Sequence, residues 1–300
     1  MLKCSVCADG FKLVGYTQRA WPLLPGYELK NCLSGGHVLV NGVRVKKDMP
    51  VFSGDEITIF AGEKYTLKPL KTVFDDGTMA ALVKPTGLPV DADENGIGED
   101  TVLARMRLLY PSASLVHRLD TGTGGIMLCA LNEDGKKSLE AEFKNHTIKK
   151  TYITVTVGIP QREKDTLTAY ILKNAAAGSV KVLDRPQRGA LTAVTEYAIQ
   201  NVITVDGIRL ALLKVQIPTG RTHQIRAMLA HIGCPLLGDD KYGNREKNKR
   251  LKTASPLLWC EEIEFTDKSL VYAGKHFKAA CPSWTVLGQQ LIKDKTNGDK

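Results

Sequence analysis

The stretch VLVNGVRV (Val38–Val45) constrains the fold most. Val38 and Val40 alternate with an outward position, Asn41-Gly42 follows, and Val43 and Val45 alternate again. Asn-Gly between alternating apolar runs is the strongest short-range hairpin signal, because a type I′ turn needs positive φ at both central positions. Gly54-Asp55 marks a second turn before Ile57 and Ile59, and Gly26–Leu33 predicts a short helix upstream. The N-terminal residues 1–62 therefore read as a small module of helix and β-hairpin, followed by a lysine-containing linker over 63–71.

Beyond the linker, strand signals continue. Met79–Val83, GGIMLCAL (Gly124–Leu131), TYITVTVG (Thr151–Gly158), LTAVTEYAIQ, RLALLKVQI and SPLLWCEEIEF all read as strands. Fewer helices lie between them. TVLARMRLLYP predicts one stopped by Pro111, and DGKKSLEAEFKN another with Asp134 as N-cap. RTHQIRAMLAHIG predicts a third, with Arg221 at its start and Ile225, Met228, Leu229 and Ile232 on one face, ended by Gly233 and Pro235. Strands outnumber helices, strand–helix–strand units are few, and no internal repeat occurs. The expected class is α+β with a mixed, mainly antiparallel sheet over 72–292, then a tail over 293–300.

Apolar residues make up 43% of the 300, enough for a substantial core, and 41 basic residues against 32 acidic give +9. Such a surplus points to a polyanionic partner, nucleic acid first. The chain holds no apolar run long enough to span a bilayer and no apolar signal segment, so no membrane partner is expected. Seven scattered cysteines fit reduced thiols in the cytoplasm. Cys4, Cys7, Cys32 and His37 have spacings that could serve zinc, as a minor alternative.

The loop HRLDTGTGG (His117–Gly125) holds one carboxylate, Asp120, between a basic pair and small residues. Asp-Thr-Gly is also the aspartic-protease triplet, but that chemistry needs two carboxylates sharing a proton, and no second triplet exists here. A phosphate cradle is opposed by the strand-like IMLCAL that follows, where a helix N-terminus is required. The segment TGRTHQIR adds Arg221, His223 and Arg226. A lone carboxylate with two basic clusters suggests an acid kept ionised by an arginine, facing a polyanion.

VHRLDTGTGG, KKTYITVTVG, PTGRTHQIRAMLAHIGCPLLGDDKYG and LVKPTGLPV together resemble the signature blocks of the RluA-type pseudouridine synthases, in order and spacing as well as residue type, over about residues 72–285. Residues 14–62 resemble the small RNA-binding module shared by a ribosomal protein and several RNA-modifying enzymes, although TQRAWPLLPG replaces the usual basic opening helix. Two positions depart from the family pattern: Gly124 stands where Ser is frequent, and Trp259-Cys260 where His-Ala is usual.

The resemblance implies isomerisation of uridine in RNA, ribosomal or transfer, with no cofactor. It implies Asp120 as the essential carboxylate, Tyr152 as the site tyrosine that stacks on an extracted base, and Arg221 as the counter-charge to Asp120. Arg118, His223 and Arg226 would touch RNA or support the helix, and Lys84 and Pro85 would shape the cleft. The run KYGNREKNKRLK carries six basic residues and one acid, and within it Lys247, Lys249 and Arg250 are expected to bind RNA from a loop. A monomer is the default. The rival from another class is an RNA-binding or assembly factor on the same fold.

Overall fold

The computed structural model describes residues 1–62, 65, 67–174, 178–267 and 271–280. The expected boundary at 292 and the tail lie outside these residues. The described chain sorts into two compact units, Met1–Lys71 with Gly87–Leu115, and Thr72–Thr86 with the residues from Val116 onward.

The first unit opens with strands β1 (Leu2–Ser5) and β2 (Phe11–Lys12) and helices α1 (Leu13–Ala20) and α2 (Gly26–Ser34). Strands β3 (Val38–Val40), β4 (Val43–Val45), β5 (Pro50–Val51) and β6 (Glu56–Ile59) follow. The hairpin forms as its sequence predicts: β3 pairs β4 through Val40↔Val43, and Asn41 and Gly42 take φ of 52° and 77°. The order β1-β6-β3-β4 makes one antiparallel sheet. Helix α1 turns Leu13, Tyr16, Thr17 and Ala20 inward, a spacing of three and four that places them on one face.

The chain then enters the second unit for β7 (Thr72–Asp75) and β8 (Met79–Lys84), and returns to the first for α3 (Val102–Arg107) and β9 (Ser114–Leu115). The catalytic segment expected from residue 72 is thus interrupted. Gly87–Leu115 folds with the N-terminal residues: Ile97 joins their core and the Asp100 amide donates to the Ala20 carbonyl at 2.8 Å. Helix α3 ends at Arg107 rather than reaching Pro111, because the segment after it turns, with the amides of Leu109 and Tyr110 both donating to the Met106 carbonyl.

The second unit continues with β10 (Gly124–Ala130), α4 (Glu133–Lys144), β11 (Ile148–Val157), β12 (Lys164–Asn174), β13 (Ser179–Leu183), β14 (Leu191–Val205) and β15 (Ile208–Gln216). Helices α5 (Gln224–His231) and α6 (Arg245–Arg250) and strands β16 (Leu258–Phe265) and β17 (His276–Lys278) complete it. The sheet order is β13-β12-β14-β15-β11-β16-β10-β8-β7, with β17 also on β16. Every pairing in this path is antiparallel except β10 with β16, so the sheet is mixed and mainly antiparallel as expected. No helix among the described residues is long and apolar enough to cross a membrane.

Local details correct the sequence reading. Asn132, not Asp134, caps α4, its side chain accepting from the Gly135 amide. Helix α5 starts at Gln224, so Arg221 lies in the turn before it. It ends at His231, which leaves Ile232 outside the buried face of Ile225, Met228 and Leu229. The basic run holds a short helix, α6, with Asn244 as N-cap. Strands β12 and β13 have no counterpart among those read from sequence.

Candidate active site

The loop from His117 to Thr123 enters the all-buried strand β10. It is fixed at both ends. The His117 Nε2 accepts a hydrogen bond from the Leu128 amide at 2.8 Å, and its ring stacks on Phe143. Burial, with the nearby Lys150 charge, pushes the His117 pKa down to about 3, so the ring is a neutral acceptor. At the other end the fully buried Lys84 ammonium donates to the carbonyls of Thr121 at 3.1 Å, Thr123 at 2.7 Å and Pro85 at 3.1 Å. Burial pushes the Lys84 pKa down to about 7, with Asp120 opposing the shift. Between these anchors the Thr123 amide donates to the Asp120 carbonyl at 2.9 Å, closing a turn that leaves the Asp120 side chain 26% exposed.

The small residues of the loop have a steric reason. Strand β16 runs beside the start of β10, pairing Gly124 with Trp259 and Gly125 with Cys260. A Cβ on Gly124 would lie 2.4 Å from the Trp259 ring, and one on Gly125 2.1 Å from the Cys260 carbonyl oxygen. Gly124 and Trp259, two of the departures, are thus neighbours: the indole occupies the space next to the missing Cβ.

Tyr152 lies on β11, opposite Val215 on one side and Cys260 on the other. The β11–β16 register shifts between Thr151 and Tyr152, and such a bulge re-aims the side chain that follows it. The phenol is buried at 5% exposure and hydrogen-bonds the Cys260 thiol. Burial, then Cys260 and then the charge of Asp120 hold its pKa well above the usual range, so the hydroxyl stays protonated. Burial likewise pushes the Cys260 thiol up to about 12.

The arginine that meets Asp120 is Arg226, not Arg221. Arg226 Nη1 lies 3.4 Å from Asp120 Oδ2. Arg221 instead donates through Nε to the Thr192 carbonyl at 3.1 Å, and its amide donates to Gln224 Oε1. Helix phase explains the exchange. With α5 starting at Gln224, Arg226 falls in the first turn on the buried side, whereas Arg221 stays on the preceding turn.

Arg226 also grips a second carboxylate. Its Nε donates to Asp239 Oδ2 at 2.7 Å and its Nη2 to Asp239 Oδ1 at 2.9 Å, while the exposed Asp240 stands 3.7 Å from Nη2. Burial opposes the Arg226 charge, but the bonds and charge of Asp239, then Asp120, outweigh it and hold the guanidinium protonated. Asp239 is fully buried, and burial alone would raise its pKa. Its bonds from Arg226 and from the amides of Tyr242 and Lys241 reverse the direction. Asn248, buried on α6, ties the turn down by donating to the Asp239 carbonyl and accepting from the Gly238 amide, both at 2.8 Å.

Tyr242 lies beneath the guanidinium, with its ring centre 5.4 Å from Arg226 Cζ. Its hydroxyl accepts from the Val180 amide at 2.8 Å and lies 2.9 Å from His223 Nδ1. Burial pushes the His223 pKa down, opposed by Asp120. Of the remaining expected residues, Arg118, Lys247 and Lys249 are exposed, and Arg250 donates to the Asp206 carbonyl. Sequence reading overlooked Asp239 and Tyr242, both inside GDDKYG, because only their spacing after α5 signals them. Among the described residues no cluster of three or more His, Cys, Asp or Glu is arranged to hold a metal. In the N-terminal unit the Cys7 thiol instead lies 3.3 Å from the Tyr16 hydroxyl.

A partly exposed carboxylate at a tight turn, a guanidinium contact and a protonated phenol nearby define an acid–base site. Comparison with known proteins agrees. Residues 78–231 match the family model described as RNA pseudouridylate synthase. The chain is 30% identical over 257 residues to the ribosomal large subunit pseudouridine synthase C of Rickettsia conorii, covering 78% of this chain and 83% of that relative. It is 28% identical to an uncharacterized RNA pseudouridine synthase of Aquifex aeolicus, over 81% of this chain and 80% of that one. The solved structure of human RNA pseudouridylate synthase domain containing 1 shares the fold at a TM-score of 0.62 and 19% identity, covering 74% of this chain and 87% of that one. The chain belongs to the RNA pseudouridylate synthase family, in its RluA-type branch, and is an RNA pseudouridine synthase.

Proposed function

We propose that this enzyme isomerises uridines of large-subunit ribosomal RNA, with Asp120 as the acting carboxylate. The observation that carries the reading is the Asp120–Arg226 contact at 3.4 Å, which holds a partly exposed carboxylate against a guanidinium. The ribosomal target is taken from the printed names of relatives such as the Rickettsia conorii enzyme. In the reaction the N1–C1′ bond breaks, the uracil turns and C5 bonds to C1′. The C5 proton is lost and N1 gains one, so atoms balance without a cofactor.

Stacked bases are sterically closed to such chemistry, so the uridine leaves the helix before it reacts. Tyr152 then offers a ring for the extracted base and a hydroxyl that stays protonated. Arg118, exposed two residues before Asp120, and the exposed Lys247 and Lys249 contact phosphates. The N-terminal unit, with its helix and hairpin, adds RNA-binding surface.

The test is release of tritium from RNA labelled at uracil C5. Wild type releases it from large-subunit ribosomal RNA, and Asp120→Asn does not while still binding that RNA. Release from transfer RNA alone replaces the proposed substrate. No release from either RNA, with binding intact, favours an assembly factor.

A further inference from the structure

Arg226 has more carboxylate around it than a simple counter-ion to Asp120 needs. The buried Asp239 takes both Nε and Nη2, at 2.7 and 2.9 Å, in the forked geometry that guanidinium and carboxylate favour. What remains for Asp120 is Nη1 at 3.4 Å, too long for a strong charge-assisted bond. Asp239 is itself fixed: its Oδ1 also accepts from the amides of Lys241 at 2.9 Å and Tyr242 at 3.0 Å, and Asn248 holds its carbonyl.

We propose that Asp239 is a positioning residue for the isomerisation, which by occupying the Nε–Nη2 edge of Arg226 limits Asp120 to one long contact through Nη1 and so leaves that carboxylate free to react. The inference rests on Asp120 being the acting carboxylate. The physical logic is competition. A carboxylate held in a full bidentate pair has its lone pairs engaged and must break strong bonds before it can attack or accept a proton. A guanidinium already committed to a buried partner supplies positive charge without that capture.

Asp239→Asn tests this with little damage to the turn. An amide oxygen in the Oδ1 position still accepts from the two backbone amides and Nη2, whereas the amide nitrogen faces Nε donor to donor. The arginine fork is then released toward Asp120. The expected result is a kcat lower by roughly tenfold to a hundredfold with KM nearly unchanged. Asn248→Ala, which removes one brace on Asp239, should act in the same direction by a smaller factor and serves if Asp239→Asn does not fold.

Because Asp239 acts through Arg226, the effect should be non-additive. In an Arg226→Lys background, where no fork exists, Asp239→Asn should add little further loss. Equal loss in both backgrounds, or a change in KM with kcat intact, overturns the proposal. A wild type that releases no tritium overturns instead the reading on which it rests.

Discussion

Asp120 and Asp239 meet the same guanidinium from turns built in different ways. Asp239 is fully buried, takes two arginine bonds and accepts from two backbone amides. Asp120 is 26% exposed and has one arginine contact at 3.4 Å, and its loop is held by bonds to backbone carbonyls and to His117 rather than to its own carboxylate. The first turn spends its carboxylate on structure. The second fixes its backbone and leaves the carboxylate open, which is the arrangement that chemistry requires.

The largest effect that separates the two should come from Arg226→Met. It leaves Asp239 as a buried charge without its partner, a loss of about 3–5 kcal/mol in urea unfolding. Asp120, partly exposed, should contribute little to that figure, although activity disappears. An unfolding free energy close to wild type would erase the distinction between the two carboxylates.

Lys84 sharpens the Asp120 side alone. Its folded pKa of about 7 lies below the 10.5 of an unfolded lysine, so the unfolded chain binds the extra proton between these values. Stability therefore rises as pH climbs from about 7 toward 10.5, and the contribution is lost as pH falls through about 7. The full span is on the order of a few kcal/mol. Thermal unfolding of Lys84→Met should lack this rise, and parallel pH curves for the two proteins would contradict the assignment.

Smaller effects are expected outside the Arg226 pair. Neutralising Lys247 and Lys249, on the exposed side of the helix that braces Asp239, should weaken RNA binding and flatten the slope of log K against log salt by about 1–2, with kcat retained. Arg221→Ala should change kcat by less than about threefold, since its side chain donates to the Thr192 carbonyl rather than to Asp120. A loss comparable to that of Arg226 variants would restore Arg221 to the site.

How far the molecule could be read in advance follows from range. The hairpin at Asn41-Gly42 is written in adjacent residues, and so is the tight loop around Asp120. Which arginine meets Asp120 depends on where α5 begins, a matter of two or three residues that places Arg226 inward and Arg221 on the turn before. Asp239 was harder still, because its partner is brought to it by a helix and a reversal of the chain. Strands β12 and β13 escaped notice because they are half-exposed: Leu167, Ala169 and Ile171 alternate inward, but lysine and threonine dilute the pattern. The joining of Gly87–Leu115 to the N-terminal unit left no local mark at all.

The central claim is that Asp120, held loosely by Arg226, carries out the isomerisation. Its most direct test is a single-turnover measurement of tritium release from C5-labelled large-subunit ribosomal RNA with excess enzyme. Wild type should release the label of each target uridine, while Asp120→Asn should bind the RNA with similar affinity and release none. Release by Asp120→Asn at the wild-type rate would contradict the account.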